Sequence, residues 1–172
     1  SRGLGDVYKR QALSLAGRFK KTMRLVSAPE ARSRQTAGLF GADAQIENAL
    51  RDVDFGAWKG QAIDQLAPDA LAAWMTDSAA APHGGESVEQ LCTRVGHWIK
   101  SLESHPGHVV AVTHPFVIRA ALLYVMQFPL SKFYLIDVEP LSATELRFNT
   151  VWRLRLETHA ECHEHGKIHA PQ

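Results

Sequence analysis

The chain has 172 residues, a single-domain length that can bury a real core, and its 45% apolar and 22% charged residues are those of a globular protein. Its 19 Lys and Arg nearly balance 18 Asp and Glu, for a net charge of +1. That balance argues against nucleic acid or an anionic membrane as partner, so an anionic ligand must be small and locally held. The most apolar stretch, 109–126, is interrupted by His114, Pro115 and Arg119 and does not make a bilayer span, which needs about 20 residues.

The first ten residues carry no apolar run and read as a non-native or disordered terminus. Arg2, Lys9 and Arg10 are followed by no compact apolar segment of a secretory signal. Gly3-x-Gly5 is no dinucleotide fingerprint, because no strand precedes it and no third glycine follows. A domain is expected over 11–157. Within it, 11–20 reads as a short helix and 23–26 as a short strand. Ser27 is expected as the N-cap of the next helix, with Pro29 in the first turn and Glu30 closing a capping box. That helix should run through Ala37 and stop near Gly38 and Gly41.

Residues 52–60, with Phe55, Trp58 and two glycines, read as an irregular loop, followed by short helices at 63–66 and 69–75. Trp58 and Trp74 are expected to pack. Residues 78–85 form a loop. Val88, Leu91, Cys92, Val95, Ile99 and Leu102 then repeat at helical spacing, and Ser87 with Gln90 makes a capping box. Residues 108–113 read as a buried strand, and Pro115 opens a helix over 116–126. Further strands are expected at 133–138, 144–148 and 151–156, with a hairpin through Asn149 and Thr150. Strands alternating with helices predict an α/β layered domain.

The last segment, 158–172, is a polar, histidine-rich tail. His159, Cys162, His163, His165 and His169 are metal-ligand types, but their spacing fits no structural zinc pattern, so a disordered tail without metal is expected. Two cysteines, Cys92 and Cys162, make no disulfide framework, which points to a reducing cytoplasm.

The chemistry concentrates at two strand-to-helix junctions. One runs from Leu25 to Arg32, the other from Val110 to Pro115. Ligands of open α/β sheets bind beyond the carboxyl ends of parallel strands. Helix N-termini there offer unpaired N–H groups to phosphate, and the planar fork of Arg32 suits two phosphoryl oxygens. His114, beside Thr113, would share the same pocket.

Four segments, in order, resemble the histidine phosphatase (phosphoglycerate-mutase-like) superfamily. Ser27-Ala28-Pro29-Glu30-Ala31-Arg32-Ser33-Arg34-Gln35-Thr36-Ala37 is similar to its Ser-Ser-Pro-x-x-Arg-x-x-Gln-Thr-Ala segment. Asp52-Val53-Asp54-Phe55-Gly56-Ala57-Trp58-Lys59-Gly60 is similar to its Glu-x-x-Phe-Gly-x-Trp-x-Gly loop. Gly84-Gly85-Glu86-Ser87 matches its Gly-Gly-Glu-Ser box, and Val110–His114 with Val117-Ile118-Arg119 resembles the strand bearing its second catalytic histidine. The resemblance implies a three-layer sandwich with a mostly parallel central sheet flanked by helices, here with the first strand missing. It implies a phosphomonoesterase acting on a small phosphorylated substrate, with no cofactor or metal. Arg32, His114 and Thr113 would hold the phosphoryl group. The leaving-group acid would be Asp52, which stands where many members have Glu, or Glu86.

The family's nucleophile is a histidine in Arg-His-Gly at the end of the first strand, which takes the phosphoryl group covalently. No histidine precedes His83, and no Arg-His-Gly occurs. Truncation upstream of Gln11 is therefore expected, and the chain as it stands should be inactive. A non-catalytic phosphate- or phosphoprotein-binding domain and a mutase-like phosphotransferase are the alternatives.

Overall fold

The computed structural model describes residues 10–14, 16–17, 23–41 and 43–156. The expected N-terminal extension, the rest of the 11–20 helix and the histidine-rich tail lie outside the described residues, apart from a helical stretch at 10–14 and Ala16. The centre is a parallel sheet of β1 (Arg24–Ser27), β2 (Gln45–Ile46) and β3 (Val109–Val112) in the order β2-β1-β3. Leu25 pairs with Val110 and Val26 with Ala111, which brings the carboxyl ends of β1 and β3 side by side.

Helices α1 (Ala31–Gly38), α2 (Pro68–Thr76), α3 (Val88–Leu102) and α4 (Pro115–Met126) flank the sheet. The apolar stripe of α3, with Leu91, Val95 and Ile99, meets Val117, Ala120 and Leu123 of α4 in the buried core. Ser87 accepts the Gln90 amide while the Gln90 side chain accepts the Ser87 amide, so the expected capping box forms. β4 (Glu145–Asn149) and β5 (Val151–Arg155) form the expected antiparallel hairpin, turning at Thr150 with φ of 66°.

Three expectations need correction. Ser27 is not a cap: it is the last, fully buried residue of β1, and its hydroxyl donates to the Ala28 carbonyl. The helix starts at Ala31 with Glu30 in the N-cap position, because Pro29 and its neighbours hold the junction extended for longer. Residues 133–138 are not a strand. A 3-10 segment, Leu130–Leu135, begins after Pro129 and buries Phe133, while Arg119 takes the Ile136 carbonyl. The third is β3, which was expected to be buried; Val109, Val110 and Val112 are only half-buried and Ala111 is exposed. Among the described residues β3 is an edge, paired with β1 alone.

Candidate active site

The junctions after β1 and β3 open on one cavity of about 740 Å³, lined by Arg32, Ser33, Thr113 and His114 at one end. It continues along the whole of β3, with Ile118 and Leu122 of α4 on one flank and Leu146, Phe148 and Trp152 of the hairpin on another. The sheet register produces this meeting. The Ala28 amide donates to the Val112 carbonyl, so α1 and α4 start from adjacent strand ends.

His114 is the hub. Pro115 makes the first turn of α4 without needing an amide hydrogen, which leaves His114 extended at the N-cap. Its ring Nε2 lies 2.8 Å from Glu30 Oε2 and 3.1 Å from Ser33 Oγ. Its Nδ1 lies 3.5 Å from Asp52 Oδ2. A carboxylate only accepts, so Nε2 carries the proton that points to Glu30.

Asp52 is held by its own loop, where the Val53 amide donates to Oδ1 and the Asp52 amide donates to Glu30 Oε1. Burial raises the Asp52 pKa and the nearby Glu30 charge adds to it, against the lowering effect of His114, the Val53 amide and Arg94. Glu30 moves the other way. Burial alone would push it up, but the His114 hydrogen bond, the Glu30 and Asp52 amides and the His114 charge together bring it below its usual value. The two nearby carboxyls are thus shifted in opposite directions, Asp52 toward keeping its proton and Glu30 toward giving it up.

Arg32 is exposed, lines the cavity, and its guanidinium has no protein partner among the described residues. Thr113 also lines the cavity, but its hydroxyl donates to the Leu50 carbonyl at 2.7 Å, so that proton ties the strand end to the 48–50 turn. Glu86 is elsewhere. It is buried, and Arg94 grips it at 2.8 Å on each oxygen while Arg51 adds a contact at 3.2 Å. Trp58 and Trp74 pack with Phe55 around the buried His83.

Glu30 and Ser33 were not recognised in the sequence as site residues. The signal was there: an acid two positions before Arg32, the candidate phosphate ligand, needs a role of its own. The same holds for Arg94, which falls on the half-turn of α3 facing the 49–51 backbone and donates to the Ala49 and Arg51 carbonyls.

The histidine phosphatase superfamily (branch 1) matches residues 4–157 of the chain. A glucosyl-3-phosphoglycerate phosphatase of Mycolicibacterium vanbaalenii is 31% identical over 146 residues, covering 73% of this chain and 64% of that protein. A bifunctional protein of Mycobacterium tuberculosis is 31% identical over 103 residues, 54% of this chain and 28% of its own length. The chain thus spans less than two thirds of either relative. The structure of a mycobacterial glucosyl-3-phosphoglycerate phosphatase complexed with VO3 superposes with a TM-score of 0.74 at 27% identity, covering 86% of this chain and 82% of that one.

Proposed function

We propose that this chain, which belongs to the histidine phosphatase superfamily, is a phosphomonoesterase domain working through a phosphohistidine whose nucleophile lies on a strand outside these 172 residues. The observation that carries the reading is that Arg32 and His114 line one cavity, which continues along β3 on the side where no described strand pairs with it. Arg32 clamps two oxygens of the phosphoryl group through its fork, and His114 donates from Nε2 to a third as charge builds there. The amides at the start of α1 add their dipole.

Asp52 is the leaving-group acid in this reading, and Glu86 is not. Asp52 lies beside His114 with its pKa raised, so it keeps its proton at a higher pH than an ordinary aspartate. Both Glu86 oxygens are already committed to arginines. The substrate is a small phosphorylated molecule, and a phosphorylated sugar acid is the first to assay because of the 31% identity to glucosyl-3-phosphoglycerate phosphatase. A cytoplasmic setting fits Cys92, a free thiol whose pKa burial pushes up to about 12. No helix among the described residues is long and apolar enough to cross a membrane.

One observation favours a second reading, a non-catalytic phosphate-binding domain: no Arg-His-Gly occurs in the sequence. The test is to supply the strand, either as upstream coding sequence or as a peptide ending in Arg-His-Gly. Turnover of nitrophenyl phosphate and an acid-labile phosphoenzyme are expected, both lost when the strand's histidine is replaced or with Arg32→Ala. A seated strand that gives no turnover would establish the binding domain instead. Transfer of the phosphoryl group back to substrate, in place of release to water, would mark a mutase.

A further inference from the structure

The position that His114 offers to an anion already holds one. Glu30 occupies the N-cap of α1, yet its side chain makes no bond to the amides of that helix. It is turned across the junction, where Oε2 accepts from His114 Nε2 at 2.8 Å and Oε1 accepts the Asp52 amide at 3.1 Å. A carboxylate with two oxygens on a ring N–H and a backbone N–H imitates two oxygens of a bound phosphoryl group. A phosphate that takes the same Nε2–H brings its charge against Glu30, and like charges sharing one donor repel.

We propose that Glu30 is a resident competitor for the phosphate subsite, holding His114 and Asp52 when the subsite is empty and released when phosphate binds. This rests on the reading of Arg32 and His114 as the phosphoryl pocket. The competitor keeps free inorganic phosphate weak, because every binding event must break the Glu30 contacts. It also favours product release, since those contacts re-form as phosphate leaves. A phosphate ester recognised through its organic part displaces Glu30 more readily than phosphate alone.

The experiment titrates inorganic phosphate into the 172-residue protein by NMR, following the His114 ring nitrogens and the Asp52 backbone amide. In the wild type both signals should move together with one Kd, because the Asp52 amide loses its Glu30 partner as His114 gains phosphate. Glu30→Gln keeps an oxygen for the Asp52 amide but removes the charge, and should bind phosphate roughly tenfold more tightly. Equal or weaker binding by that variant would overturn the competitor role and leave the pocket reading standing. So would a wild-type titration in which His114 responds and the Asp52 amide does not, a result that does not depend on the variant folding. Phosphate that perturbs His114 in neither protein removes the pocket reading, and the competitor with it.

Discussion

Arg94 meets Glu86 through both carboxylate oxygens, at 2.8 Å each, with only 13% and 9% of the two side chains exposed. The same guanidinium donates to the Ala49 and Arg51 carbonyls, so one ion pair fastens the start of α3 to the loop that presents Asp52. Removing one partner leaves the other charge buried and unpaired, which typically costs about 3–5 kcal/mol. Glu86→Ala should therefore lower unfolding free energy by about 3 kcal/mol in urea. Asp52→Asn, at a half-buried position, should stay within about 1 kcal/mol of wild type. Comparable losses from both substitutions would remove the distinction between brace and acid.

Asp52 gives a kinetic prediction in the enzyme with its strand supplied. Asp52→Asn should lose roughly 100-fold or more in kcat on an alkyl phosphate and far less on nitrophenyl phosphate, whose leaving group needs little protonation. A rate that needs protonated Asp52 falls as pH rises through its pKa. That pKa is raised, chiefly by burial, so the falling limb lies at higher pH than an unperturbed aspartate would give. Glu30→Gln removes a charge that contributes to the raise and should move the limb to lower pH.

Much of this fold was legible in the sequence because its parts are local. The Ser87–Gln90 capping box needs only three residues' separation, and the 52–60 loop and the hairpin turn at Thr150 are set by nearby glycine and turn chemistry. What was missed depends on distant partners. Glu30 reads from the sequence as the residue closing a capping box on Ser27, because its real partners, Asp52 and His114, lie 22 and 84 positions away. Residues 133–138 look like a strand until one asks which neighbour would complete their ladder. β2 has only two residues and no alternation to detect.

Gly85 shows how tightly two of the recognised segments fit. Its backbone runs against Asp54, whose carbonyl accepts the Glu86 amide, and an added Cβ would land on that carbonyl oxygen. The obstacle is backbone on both sides, so no side chain can swing away. Gly85→Ala should cost about 3 kcal/mol or abolish folding, at the upper end of overpacking effects. Gly84→Ala tests the account differently. A Cβ there meets nothing within 4 Å, but φ of 72° imposes strain. Its loss should be nearer 1 kcal/mol. Equal melting temperatures for the two variants would mean that the close approach is not what Gly85 provides.

Among the described residues β3 pairs with β1 on one side alone. The carbonyls of His108 and Val112 accept from the Arg24 and Ala28 amides, so those residues face β1. Backbone groups alternate sides along a strand, which turns the N–H and C=O of Val109 and Ala111 toward the cavity. Among the described residues no strand pairs with them there. Unpaired backbone groups beside Leu122, Leu146 and Trp152 are costly, and one extended strand would satisfy them while delivering its end to His114 and Arg32. In the 172-residue protein the Val109 and Ala111 amides should therefore exchange hydrogen much faster than the Val110 amide, which faces β1. Supplying the strand should slow Val109 and Ala111 to the rate of Val110, raise the melting temperature and start turnover together. Without the strand the protein should release no phosphate from nitrophenyl phosphate. Strong protection of Ala111 with activity in the unsupplemented chain would mean that the nucleophile is already present, and His114→Ala would then be the variant to make first.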